Sequence, residues 1–152
     1  GVPTARFNFR GVGASEGVHD NAKGEVDDLV AVATWLQYQC SGERLLIAGY
    51  SFGSVVAAGG SAGLNAEHLV LLAPPVERYS MAPEKHFSCP ATIVLGEDDE
   101  LVEYQHARQW AEGLTSPVDI ISIAGASHFF HGQLVSLREQ LAPALLNRLD
   151  AG

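Results

Sequence analysis

The amino-acid sequence predicts an α/β fold built on an open, mostly parallel sheet with helices on both faces. Three observations carry that expectation. The runs LLIAG (45–49), LVLLA (69–73) and TIVLG (92–96) are continuously apolar and end in Gly or Ala, which suits parallel strands covered on both faces. Segments with apolar residues at helical spacing lie between them. Strand and helix patterns then alternate along the chain, as a parallel sheet with crossover helices requires.

Taken in order, Ala5, Phe7 and Phe9 alternate with Arg6 and Asn8, the period of two of a first strand. From Asn21 to Gln39, Val26, Leu29, Val30, Ala33 and Leu36 recur at helical spacing, with Asp20 or Asn21 as the cap. The strand at 45–49 leads into 53–62, whose small Ala/Gly-rich residues predict a short helix packed tightly on the sheet. After the strand at 69–73, residues 73–90 (APPVERYSMAPEKHFSCP) are Pro-rich and aperiodic, and read as a loop over the sheet's carboxyl edge. The strand at 92–96 precedes a helix over 103–114 with Tyr104, Ala107, Trp110 and Leu114 inward, and VDIISIAG (118–125) is the fifth strand. Leu134, Leu137, Leu141, Leu145 and Leu149 describe a last helix that Pro143 is expected to kink or split.

The 152 residues read as one domain, 1–152, with enough chain for one sizeable core. Hydrophobic residues make up 47% and charged residues 18%, too apolar a balance for a disordered chain. A formal net charge of −9 argues against nucleic acid or an anionic membrane as partner. No apolar run is long enough to span a bilayer. Cys40 and Cys89 make no disulfide framework and read as reduced thiols, which with the lack of a signal-like start points to the cytoplasm. The sequence starts at Gly1 and not at Met, so a trimmed amino terminus is expected.

The chemistry concentrates at GYSFG (49–53). Gly-x-Ser-x-Gly between a strand and a helix is a nucleophile elbow, a turn so sharp that the serine is strained and its hydroxyl exposed. A Cβ at Gly49 or Gly53 is expected to clash where the chain passes close to itself. Ser51 is thus the candidate nucleophile, with the positive end of the following helix aimed at it. A serine needs a base, and the base an orienting acid. In this kind of turn the acid and the histidine follow the serine in that order. The strand at 92–96 ends in GEDDELV and the strand at 118–123 in AGASHFF, so His128 is the candidate base and Asp99 the candidate acid. Asp98 and Glu97 compete with Asp99, and His131 with His128. His19, His68, His86 and His106 lack a strand-end context and read as surface residues; Glu103 and Glu112 read as a solvated helix face.

RFNFRGVGASEG (6–17), GYSFGS (49–54), GEDDELV (96–102) and AGASHFFHG (124–132) together resemble the small, capless α/β-hydrolases described as predicted serine hydrolases. The resemblance runs over essentially the whole chain. It implies Ser51 as nucleophile, His128 as base and Asp99 as acid, since Gly96, Asp99 and Val102 match the family's Gly-x-x-Asp-x-x-Val pattern. It implies the Phe52 N–H as one oxyanion donor and puts Arg10, Gly11 and Tyr50 beside the substrate. A small-molecule acyl substrate and no metal or organic cofactor are implied. Relatives carry a further amino-terminal segment that supplies early strands and a second oxyanion donor, so a gap is expected between the strand at 5–9 and that at 45–49. Two other readings stand beside this one. GVGASEG (11–17) resembles the Gly-rich turn of a nucleotide-binding oxidoreductase, which would need a helix to start within the glycines. A hydrolase-like domain used only for binding is the other.

Overall fold

The computed structural model describes residues 2–82 and 84–150, with side chains described as far as residue 146. Pro83 in the Pro-rich loop and Gly1 therefore lie outside the described residues, as does the side chain of Leu149, named with the leucines of the last helix. The elements run α1 (Lys23–Gln39), β1 (Leu46–Tyr50), α2 (Phe52–Ser61), β2 (His68–Leu72), β3 (Ala91–Gly96), α3 (Tyr104–Glu112), β4 (Val118–Ile123) and α4 (Leu134–Asp150). The four strands form one sheet in the order β1-β2-β3-β4, every pair parallel.

The register explains why the apolar runs are continuous. Ile47, Leu69, Ala91 and Val118 stand in one row across the sheet, and Leu71, Ile93 and Ile120 in another. These rows face α1, α2 and α3 in a core that includes Ala33, Val55, Ala58 and Ala107. Val94 and Ile123 point the other way and pack with Ala126, Phe130 and the α4 residues Leu137 and Leu141. A strand with helices on both faces has no polar side, so alternation disappears from its sequence. Leu69, Leu71 and Ile93 are completely buried, and each such side chain stabilises the fold by about 1.5–3 kcal/mol.

Four expectations about the elements are corrected. Residues 5–9 are not a strand: they pair with none of the strands among the described residues. Their alternation survives as exposure, since Arg6 and Asn8 are exposed while Phe7 and Phe9 turn inward with their rings edge to face at 5.2 Å. Alternation chooses faces, but a strand also needs a neighbour's N–H and C=O groups. A groove of about 470 Å³ lies between residues 2–5 and the outer edge of β1, lined by Val2, Pro3, Ala5, Leu46, Ala48 and Leu145 among others. Of the kink or split expected at Pro143, the split is not found, since α4 runs through it, and Leu134 is 63% exposed. The residue capping α1 is Ala22, at φ 74°, and not Asp20 or Asn21; the Asp20 carboxylate nevertheless accepts the Gly24 N–H at 3.1 Å.

His68 is the fourth correction. It is 2% exposed, not a surface residue, and its Nε2 lies 2.9 Å from Thr92 Oγ1 on the neighbouring strand. Its position at the start of β2 puts it inside the sheet, where an imidazole is held by a polar neighbour. The loop over 73–90 is aperiodic as expected, yet Met81, Ala82, Phe87 and Cys89 sink into the larger core. Cys40 and Cys89 are free thiols, and burial pushes the Cys89 thiol up from its ordinary value. No helix among the described residues is long and apolar enough to cross a membrane.

Candidate active site

Three chain segments meet beyond the carboxyl ends of β1, β3 and β4, where an open α/β sheet places its ligands. Ser51 follows β1 immediately and precedes α2, with φ 50° and ψ −120°, outside every region that an L-residue adopts easily. The turn is held on both sides: Ser51 N–H donates to Leu72 C=O at 2.8 Å, and Ser51 C=O accepts the Ser54 hydroxyl at 2.6 Å. Gly49 is required there, because a Cβ would lie 2.1 Å from Gly53 O. Gly53 is not, since a Cβ there meets nothing within 4 Å. The expectation that both glycines avoid a clash therefore holds only at Gly49; the close approach is made by the backbone of Gly53, not by its side.

The hydroxyl of Ser51 lies 3.0 Å from His128 Nε2. On the far side of the ring, His128 Nδ1 is 2.8 Å from Asp99 Oδ2 and 3.1 Å from Oδ1. Asp99 Oδ1 also accepts the N–H groups of Leu101 and Val102, each at 2.8 Å, so the carboxylate is fixed by its own turn. The His128 and Asp99 side chains are 4% and 3% exposed, so the pair is shielded from water. A Cβ at Gly96 would stand 2.5 Å from Ala126 O. The missing side chain lets the 97–100 turn and the loop after β4 touch, and Asp98 N–H donates to Ala126 C=O at 3.0 Å.

The competing residues are separated by this geometry. Asp98 contributes its N–H and leaves an exposed side chain, while Asp99 reaches the imidazole. His131 is exposed, with its ring against Phe129. Tyr50, 39% exposed, donates its hydroxyl to His128 C=O at 3.1 Å, and its ring lies 5.4 Å from the imidazole. Burial, then the charges of Asp99 and Glu100, push the Tyr50 hydroxyl above its ordinary value, which keeps it a donor. Phe52 opens α2, so its N–H is one of the orphan donors of a helix start. Its ring is held by His19 at 5.0 Å, Phe9 at 5.9 Å and Tyr79 at 6.0 Å.

Arg10 and Gly11 belong to a loop tied to α1. The Arg10 guanidinium grips Asp28 of α1 through Nε and Nη2, at 3.1 and 2.8 Å to Oδ1, and Arg10 N–H donates to the same carboxylate at 2.9 Å. That hydrogen bonding holds the Asp28 carboxyl below its usual range and raises Arg10. Gly11, at φ 72°, closes the loop by donating its N–H to Glu16 C=O at 3.0 Å. In GVGASEG the helix begins only at Lys23, beyond the last of these glycines, so no helix starts among them.

Sequence reasoning missed two carboxylates. Glu25, completely buried, bonds His19 Nδ1 and the Asp20 N–H, both at 2.8 Å. Burial alone would raise its carboxyl, but the Asp20 N–H and nearby groups outweigh that and hold it below the ordinary range. Glu100 accepts the His128 N–H at 3.0 Å, and that bond leads the causes that lower its carboxyl. Inside an acidic run a bonded glutamate looks like a solvated one, so the sequence carried no separate signal for it.

A family model, the dienelactone hydrolase family, matches residues 12–142. The chain belongs to the dienelactone hydrolase family. Its fold is that of the α/β-hydrolases without a lid: a serine hydrolase without lid from Xanthomonas campestris is 36% identical with a TM-score of 0.89, over 97% of this chain and 67% of that one. An α/β serine hydrolase homologue from Coxiella burnetii is 41% identical with a TM-score of 0.87, over 92% of this chain and 67% of that one. An uncharacterized protein of Rickettsia prowazekii is 32% identical over 86% of this chain. The chain spans 59% of the length of that relative.

Proposed function

We propose that the protein is a serine hydrolase that cleaves ester-type bonds of small or exposed acyl substrates, through Ser51, His128 and Asp99. One observation carries the reading: a continuous line of hydrogen bonds from Ser51 Oγ through both imidazole nitrogens to Asp99. Membership of the dienelactone hydrolase family supports it.

In this mechanism His128 Nε2 takes the Ser51 proton as Oγ attacks the carbonyl carbon. Asp99 accepts Nδ1–H, which leaves Nε2 as the free base and steadies the imidazolium that forms. The tetrahedral oxyanion develops at the start of α2, where the Phe52 N–H and the helix dipole favour negative charge. His128 returns its proton to the departing alcohol, and water repeats the cycle on the acyl-serine. A donor of this kind contributes about 10²–10³ in rate. Exposed Tyr50 and Phe129 (39% and 54%) flank the His128 ring and leave an open approach, so short acyl groups suit it better than long ones; thioesters and amides are the neighbouring chemistries.

A fluorophosphonate probe tests the reading. Labelling of the wild-type chain confined to the Ser51 peptide, absent in Ser51→Ala and at least about 10³-fold slower in His128→Ala, is the expected outcome. Labelling that survives Ser51→Ala, or none in wild type, would leave a hydrolase-like domain used for binding as the better description.

A further inference from the structure

The main chain of His128 is gripped from two directions. Its N–H donates to Glu100 Oε2 at 3.0 Å, and its C=O accepts the Tyr50 hydroxyl at 3.1 Å. Tyr50 directly precedes Ser51, and Glu100 directly follows Asp99. The two residues that meet the imidazole are thus each joined to a neighbour that holds the imidazole's own peptide groups.

The loop that carries His128 has need of such ties. It has positive φ at Gly125, Phe130 and Gly132 (67°, 53° and 74°), so neither helix nor strand fixes it. Its other anchors lie to either side of the base: Ala126 C=O accepts Asp98 N–H, and Phe130 is 2% exposed in the smaller core. Between them, among the described residues, the His128 N–H and C=O are held by the bonds to Glu100 and Tyr50, while the Phe130 N–H closes the turn on Ser127 C=O at 2.9 Å. An N–H bonded to a carboxylate is a charge-assisted contact and stronger than a neutral one. A glutamate that was merely a solvated turn residue would not be aimed at a peptide group of a nearly buried histidine.

We infer that Tyr50 and Glu100 are positioning residues that together set the reach of His128 Nε2 to the Ser51 hydroxyl. The inference rests on the proposed function and deepens it: the site is assembled by main-chain ties as well as by the side-chain bonds. It also gives the Tyr50 hydroxyl a partner within the protein, leaving the exposed face of its ring for substrate. A displacement of about 1 Å between reacting groups costs on the order of 10²-fold in rate, so loose ties would appear in turnover before they appear in stability.

The experiment compares Glu100→Ala, Glu100→Gln and Tyr50→Phe with wild type in four readouts. These are kcat and KM on a p-nitrophenyl acetate substrate, the rate of fluorophosphonate labelling, Tm, and hydrogen exchange of the His128 amide. Glu100→Ala should lower kcat and labelling by about 10–100-fold with KM and Tm nearly unchanged, and speed exchange of the amide. Glu100→Gln keeps an acceptor oxygen and should recover most of the rate. Tyr50→Phe keeps the ring and should lower kcat by about tenfold without raising KM. Wild-type rates in Glu100→Ala, a Gln variant as impaired as the Ala one, or a Tyr50→Phe defect confined to KM would each overturn the inference. Should wild type neither turn over nor label at Ser51, the proposed function fails by itself. The amide then decides the ties alone: equal exchange in wild type and Glu100→Ala overturns them, and slower exchange in wild type upholds them.

Discussion

Ser51 sits at φ 50° and ψ −120°, a conformation that costs about 1–3 kcal/mol. The strain is borne because two neighbours over-determine the turn: the β2 carbonyl of Leu72 takes the Ser51 N–H, and the absent Cβ of Gly49 lets Gly53 O pass. The two glycines of the motif are therefore unequal. Gly49→Ala forces a Cβ to within 2.1 Å of backbone oxygen and should destabilise by more than about 3 kcal/mol, as overpacking against rigid atoms does. Gly53→Ala has open space and a helical position, so it should be neutral or stabilising by up to about 1 kcal/mol. Denaturant unfolding of the two variants checks the contrast, and equal losses would show that the turn is read wrongly. The motif revealed the serine, but its two glycines are identical letters; only the path of the backbone separates them.

At the scale of elements, α2 and α4 show how far local preference reaches. α2 is rich in Gly and Ala, and a Cβ at Gly60 would lie 2.9 Å from the Leu29 side chain of α1. The small residues are thus the means by which α1 and α2 approach, a helix neighbour where the pattern had suggested close packing on the sheet. In α4 the local rule loses. Pro143 removes an N–H and crowds the carbonyl of Glu139, yet the helix continues through it, because Leu137 and Leu141 already hold it on the sheet's second face. Pro143 is exposed, so Pro143→Ala loses little packing and should stabilise by up to about 3 kcal/mol, raising Tm. A lower Tm would mean that the proline shapes a contact which alanine cannot make. The segment 5–9 is the opposite case, where a faithful alternation formed no strand for want of a partner.

For the whole molecule, the net charge is −9, and most of the carboxylates are exposed, where they contribute little to stability. Glu25 differs, being completely buried and tying His19 and Asp20 to α1. Its carboxyl is held below the ordinary value of 4.5, so in the acid range the folded chain binds fewer protons there than the unfolded chain does. This stability is therefore fully present above the unfolded value and is lost as pH falls through the lower folded value. Glu25→Gln should cost about 1–3 kcal/mol at neutral pH, and the gap from wild type should narrow as pH falls from about 5 towards 2. Urea unfolding at several pH values reads both; a gap that stays constant with pH would show that the carboxylate's charge has no part in it.

The sequence by itself determined the four parallel strands, the four helices within a few residues of their ends, and the order Ser51, Asp99, His128 after β1, β3 and β4. Those features are local: apolar runs, helical spacing and the Gly-x-Ser-x-Gly turn are written in neighbouring residues. Tertiary structure decided whatever depends on residues distant along the chain. It brought the Asp99 carboxylate, and not that of Asp98, to the His128 ring, buried His68 and Glu25, sent Arg10 to Asp28, and aimed Tyr50 and Glu100 at the peptide groups of His128. An acidic run or an isolated histidine has the same letters whether solvated or bonded, and only the crossing of the sheet's loops in space distinguishes the two.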